Sequence, residues 1–384
     1  MSAERERSKP GLLANRPMVL ALLASGFTMI GFYLLLSVVP LYADQAGGGS
    51  TGAGLTTAAF MLSTVLAQVW MPRILARFGY RMVLAAGSLL LGLPAFLYVP
   101  FGEVPAILAV TLARGAGFGI SIVALAALVV EIAPPGRRGE ALGLYGVVLA
   151  LPSIFCSALG LWIVESFGYA PVFLAGASTP LLGFFAALGI KAAEGRGERG
   201  GGGFLSGIKR GPLLRILLLF ASCTVAAGVV ITFLPLAAPG AGLFSAATAL
   251  LLLGLTSTFS RWWAGRFGDR RNPRLLLAPG LVSAALGMAA LSVEGFGLLG
   301  GALLFGAGFG ILQNATLLLI MERVSKAEYG LGSTLWNVAF DAGTGSGAFV
   351  FGLVVGATGF SSAFLLCAAL LAAALTLLPW IPEG

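Results

Sequence analysis

Residues 191–211 read KAAEGRGERGGGGFLSGIKRG, from Lys191 to Gly211, and form the only long polar break in an otherwise apolar chain. The stretch is rich in glycine and carries Lys191, Arg196, Arg199, Lys209 and Arg210 against two acids, Glu194 and Glu198. Such a composition buries no core and reads as a solvated linker. It divides the chain into residues 1–190 and 212–384, each expected to form one bundle.

The two flanks resemble each other. GAGFGI occurs at Gly115–Ile120 and again at Gly306–Ile311, an offset of 191. At that offset Glu131 falls on Glu322, Gly139 on Gly330, Gly168 on Gly359 and Phe173 on Phe364, although Gly143 falls on Thr334. With small gaps Arg81 falls on Arg274, and Pro40-Leu41 on Pro235-Leu236. A repeat of half the chain in the same order implies two related halves.

Composition sets the class. The chain has 384 residues, 58% hydrophobic and only 10% charged, against about 25% charged in a soluble domain. This is the profile of a polytopic membrane protein set in a lipid bilayer. The net charge of +8 is topological and does not point to nucleic acid. There is no histidine, and Cys156, Cys223 and Cys367 lie in apolar runs without ligand spacing. No metal site, disulfide, cofactor or catalytic constellation is implied, so an enzyme is not expected. Residues 1–16 read as a short charged tail, with no cleavable signal.

Apolar runs of spanning length fall near 18–43, 55–75, 82–101, 104–132, 140–164 and 170–190. They recur near 213–238, 242–264, 275–293, 296–321, 328–356 and 360–381, six and six. An alternating path from a cytoplasmic N-terminus puts every Lys and Arg except Arg114 on the inner segments, Arg261 among them. The outer segments keep only acids: Asp44, Glu103, Glu165 and Glu294. Both termini and the linker are therefore expected in the cytoplasm. The short loops suggest the inner (plasma) membrane of a cell of bacterial type.

The connection between spans 2 and 3 reads Pro72-Arg-Ile-Leu-Ala-Arg-Phe-Gly-Tyr-Arg81, and that between spans 8 and 9 reads Gly265-Arg-Phe-Gly-Asp-Arg-Arg-Asn-Pro-Arg274. Both resemble the signature loop of the major facilitator superfamily, roughly G-x-x-x-D-R-x-G-R-R. The second copy keeps Gly265, Asp269, Arg270 and Arg274 and departs at Asn272 and Pro273. The first keeps Arg77, Gly79 and Arg81, with Pro72 and Ala76 replacing the glycine and the acid. Glu131 and Glu322, at matching span ends, are candidate partners for these arginines in a cytoplasmic gate that makes and breaks. The arginines also satisfy topology alone.

Span 4 carries Arg114 followed by Gly115-Ala-Gly-Phe-Gly119, similar to the superfamily's arginine and spaced glycines. An arginine at mid-membrane costs roughly 3 kcal/mol or more and marks a polar cavity, unless it snorkels or pairs structurally. The glycines suit close helix packing better than phosphate binding.

Span 11 holds Trp336, Asn337 and Asp341. The last two are four residues apart and so share a helix face. Asp341 is the only acid deep within a span and can hold or release a proton. A structural pair with Arg114 is the other use for it. Gln68, Thr224 and Thr232 are further polar positions within spans. In the superfamily, spans 1, 4, 7 and 10 line the central cavity, which makes Tyr33, Gln313 and Asn314 candidate substrate contacts beside Trp336. In span 5, where antiporters of the superfamily show G-x-x-x-G-P-x-x-G-G, this chain has Leu151 before Pro152 and Phe155-Cys156 in place of the glycine pair.

The resemblance, to an efflux-type or sugar-type member, implies an all-α fold of twelve transmembrane helices in two six-helix pseudo-repeats. It implies secondary active transport of a small-molecule substrate by alternating access. Asp341 suggests coupling to protons, by symport or antiport. An uncoupled facilitator of the same fold and a non-transporting assembly or sensor protein are the alternatives.

Overall fold

A computed structural model of the chain describes residue 12 and residues 15–134, 137–190, 210–240, 242–268, 270–325 and 328–381. The linker therefore lies outside the described residues, apart from Arg210 and Gly211. The described residues are helical throughout, without a strand.

The helices are α1 (Arg16–Leu36), α2 (Val38–Ala43), α3 (Gly49–Gly92), α4 (Val104–Ile132), α5 (Arg138–Phe167) and α6 (Tyr169–Leu188). After the linker come α7 (Gly211–Ala237), α8 (Ala246–Gly268), α9 (Leu277–Leu291), α10 (Phe296–Glu322), α11 (Tyr329–Thr358) and α12 (Phe360–Ala374). Proline sits in the first turn of α1, α4 and α7, where its missing N–H costs nothing.

Nine described segments are long and apolar enough to cross a membrane. The first, Arg16–Tyr98, has 83 residues and at ~1.5 Å per residue is roughly four times the thickness of a bilayer core. It is three passes joined end to end. Gly47 and Gly49 reverse the chain after α2 with φ of 91° and 57°, and Gly79 breaks α3 with φ 70°. Only glycine takes such angles without strain. α8 is not among the nine, because Arg261, Arg266 and the hydroxyl run Thr256–Ser260 dilute its hydropathy, yet it packs against α10 and α5 inside the bundle. With these passes counted, the fold is the expected twelve-helix arrangement.

The internal repeat is physical. Gly168 and Gly359, paired by the sequence offset, adopt φ of 81° and 85° and each ends one helix as it opens the next. The two GAGFGI runs pack alike. A Cβ on Gly115 or Gly119 would strike the carbonyls of Phe60 and Thr64 in α3, and one on Gly117 would strike the Leu91 amide. In the second half Gly306 and Gly310 lie on Leu253 and Ser257 of α8, and Gly308 on the Ala284 amide of α9. The glycines let three backbones meet closely, and the partners Phe60, Thr64 and Leu91 precede Leu253, Ser257 and Ala284 by one common offset.

Two helix pairs make the largest contacts between the halves, α3 with α11 and α5 with α8, and α7 also touches α2 and α3. At the first, Gly54 lies on the Ala348 carbonyl and Ser50 Oγ donates to the Gly352 carbonyl at 3.0 Å. At the second, Gly254 lies on Ser153 and Ile154. Both seams sit toward the face that carries Asp44 and Glu294. The opposite face holds the arginine-rich connections, the end of α6 and the start of α7. There, Arg210 pairs with Glu328, and Arg215 and Arg274 donate to the carbonyls of Trp380 and Leu378. These two bonds fasten the short helical turn Leu375–Trp380 to the second half.

Candidate functional site

The polar residues of the interior gather midway along the helices, where the halves meet. Asp341 lies about 18 Å from the start of α11 at 1.5 Å per residue. It is buried, and its Oδ2 accepts a hydrogen bond from Gln68 Nε2 at 2.9 Å. Gln68 belongs to α3, so this bond crosses between the halves. No Lys or Arg of the described residues lies within 4.0 Å of Asp341. A buried carboxyl held by a neutral amide can change its protonation state without breaking an ion pair.

Two more side-chain bonds run from α3 to the second half. Ser50 reaches Gly352, Thr57 Oγ1 lies 2.9 Å from Thr232 Oγ1 of α7, and Gln68 reaches Asp341. They run from the acid-bearing face to mid-membrane. Beyond Gln68, toward the arginine face, no further side-chain hydrogen bond joins the halves among the described residues. The halves are therefore closed on one face and unfastened on the other.

Arg114 is only 2% exposed and does not pair with Asp341. Its Nε donates to the Leu91 carbonyl and its Nη2 to the Gly31 carbonyl, each at 3.3 Å, and the rings of Phe60 and Tyr98 flank it at 5.7 Å. It borders a narrow cavity of about 20 Å³ lined also by Phe32, Thr56, Thr57 and Thr111, enough for a water molecule. The cation thus stays inside the first half, satisfied by carbonyls and aromatic faces.

The remaining candidates separate into two groups. Tyr33, half-buried on α1, points its phenol at Ser153 and lies within electrostatic range of both Asp341 and Arg261. Gln313 Oε1 accepts from Arg261 Nη1 at 3.3 Å. Tyr33 is thus an electrostatic neighbour of Asp341 and of the Arg261–Gln313 pair. Asn337 and Trp336 do not join them. Asn337 Nδ2 donates back to the Ser333 carbonyl at 2.8 Å, one turn earlier on its own helix. Trp336 is buried, stacked on Phe220 at 4.8 Å, and donates to Thr316 Oγ1. Asn314 faces Gly265 of α8 and its Oδ1 is buried without a partner.

Arg261 is the residue that sequence reasoning misplaced. It was counted among the inner connecting segments, but α8 runs on to Gly268, so Arg261 sits about 10 Å inside the helix. Its signal in the sequence was spacing: it precedes Arg266 by five residues, with Trp262, Trp263, Ala264 and Gly265 between.

Residues 21–347 match the family model described as Major Facilitator Superfamily. The chain belongs to this superfamily. Its fold superposes on the nucleoside transporter NupG with a TM-score of 0.78 at 13% identity, covering 96% of this chain and 100% of that one. The inward-open xylose transporter XylE from E. coli gives a TM-score of 0.75 at 14% identity, with 97% of each chain covered. The human organic anion transporter MFSD10 gives 0.68 at 16% identity, covering 96% and 100%. At these identities the likeness shows the fold. The chain is a multi-pass membrane transporter of the superfamily and not an enzyme. Among the described residues no group of three or more His, Cys, Asp or Glu side chains could hold a metal.

The superfamily's signature loops lie on the arginine face. Arg77 and Arg81 make no ion pair with Glu131 in this conformation, and Arg77 lies over the Phe78 ring at 5.3 Å. Glu131 and Glu322 are exposed at the ends of α4 and α10. Arg270 is also exposed, just past α8, Arg274 holds the Leu378 carbonyl, and Asp269 lies outside the described residues.

Proposed function

We propose that this protein is a secondary active transporter that couples movement of a small solute to protons by alternating access. The carrying observation is the Gln68–Asp341 hydrogen bond. Asp341 is a buried acid without a cationic partner, and its one hydrogen bond among the described residues ties the two halves together. A proton arriving on or leaving Asp341 alters a contact that must break when the halves rock apart. Coupling then needs no relay: the group that carries the proton is also part of the seam.

In this reading residues 1–190 and 212–384 move as two bodies on the 191–211 linker. The arginine face lies in the cytoplasm of a cell of bacterial type. Tyr33 and Gln313 contact substrate, with Asn314, Asn337 and Trp336 supporting the cavity wall. Arg114 keeps the first half's cavity polar. Arg77, Arg81 and Glu131 in one half, and Asp269, Arg270, Arg274 and Glu322 in the other, form the gate in the opposite conformation.

The test is uptake of a panel of small solutes into membrane vesicles, with and without a pH gradient, for the parent and Asp341→Asn. The expected result is gradient-driven accumulation that the variant loses while it still equilibrates solute. Accumulation by the variant equal to the parent's would make Asp341 a brace and the protein an uncoupled facilitator. No movement of any solute by the parent would favour a non-transporting role.

A further inference from the structure

Arg261 lies within α8 rather than in a connecting segment. Its helix continues about 10 Å beyond it. Its side chain is accessible, yet it has no acidic partner within 4.0 Å among the described residues. Its hydrogen bond there is a single long one, to the neutral amide of Gln313. A guanidinium offers five N–H donors in a planar fork, and this contact uses one of them. The Tyr33 phenol, from the other half, lies within electrostatic range of the same cation. A charge at this depth is costly without a counter-ion. The cost is repaid when an anion visits.

Building on the carrier reading, we infer that Arg261, Gln313 and Tyr33 bind the carboxylate of a small organic monoanion. The planar fork matches the two oxygens of a carboxylate. Gln313 steadies the guanidinium from behind, and the Tyr33 hydroxyl donates from the facing half. One unpaired cation balances one negative charge; a dianion would leave a charge over, because Arg114 is held by carbonyls within the first half. The rest of the solute meets aromatic surface: Phe340, partly accessible beside Asp341, packs on Trp336 and Phe309. The empty site holds Arg261 and an ionised Asp341. The loaded site holds a protonated Asp341 and an Arg261–carboxylate pair. Both have the same net charge, so acid and proton cross together without moving charge.

The experiment measures thermal unfolding of the purified full chain with monocarboxylates from acetate to naphthoate, each paired with its amide. A ligand that binds the folded state raises Tm with concentration. The expected result is that at least one acid raises Tm while its amide does not. Arg261→Gln should weaken the apparent affinity for that acid about 10- to 100-fold, as expected for a lost charge-assisted hydrogen bond. Arg261→Lys should weaken it less. If no acid acts, if amides act equally, or if Arg261→Gln binds acid like the parent, the assignment fails. Should Arg261→Gln not fold, the acid-against-amide comparison on the parent decides. Proteoliposome uptake separates the two readings. Gradient-driven uptake of a neutral solute alone keeps the carrier and sinks the anion site. Acid binding without transport keeps the site and sinks the carrier.

Discussion

Gln68 Nε2 donates to Asp341 Oδ2 at 2.9 Å, which joins α3 of the first half to α11 of the second at mid-membrane. The amide gives the buried carboxylate one hydrogen bond and no charge. Gln68→Ala removes the donor and leaves the acid unsatisfied, a loss of about 1–3 kcal/mol. Because the bond belongs to the state closed at the acid-bearing face, the variant should populate the other state more. Alkylation of a cysteine placed at Thr51 should speed up in Gln68→Ala. Unchanged labelling would mean that the bond does not bias the two states.

Gly54→Val tests the seam itself. Any Cβ at Gly54 meets the Ala348 carbonyl, and Gly352 lies alongside. Both partners are backbone, so neither can swing away, and overpacking of this kind costs about 1–3 kcal/mol. We expect the variant to insert and fold, while its initial transport rate falls at least about tenfold. Parent-like rates would show that the halves do not need this close approach.

Arg114→Lys keeps the charge but loses the fork that spans the Leu91 and Gly31 carbonyls. An ammonium is a compact donor and cannot reproduce that geometry. Transport should drop at least about tenfold, with Tm lowered by a few degrees from the loss of one or two hydrogen bonds. Full activity in the lysine variant would assign Arg114 a purely electrostatic role.

The arginine face should respond to acid. Glu328 accepts from both Arg210 Nη atoms and from the amide and hydroxyl of Ser325, which hold its carboxyl down at about 2 from an ordinary 4.5. A depressed folded-state value contributes stability above the unfolded value and loses it as pH falls toward the folded one. Tm should therefore decline between about pH 5 and pH 2 more steeply for the parent than for Glu328→Gln, which has no such group to titrate. The pair is exposed and screened, so raising salt should shrink the difference. Identical pH profiles would rule this contact out as a stabilising one.

Much of the fold was legible because membrane physics is strict. Apolar length and the placement of arginine fixed twelve passes, and the paired glycines Gly168 and Gly359 mark the same corner twice. The interior was read less well. Asn337 and Asp341 share a helix face as their spacing requires, but Asn337 turns back to Ser333, a local bond that competes with any longer reach. Arg261 was hidden by the rule that assigns basic residues to connecting segments: an arginine near the end of a span reads as a loop charge until the helix is seen to continue past it. The partner of Asp341 was equally invisible, because Gln68 lies 273 residues away and only the packing of α3 on α11 brings the two together.

The turn Leu375–Trp380 is gripped by Arg215 and Arg274 through carbonyl oxygens, which every amino acid supplies alike. Arg215 also lies over the Trp380 ring at 5.9 Å, and the path of the turn stays pinned to α7 and to the residues just before α9. A spectroscopic probe introduced there would ride with the second half, so paired with one on α1 it would report any movement of one half against the other as a change in a single distance.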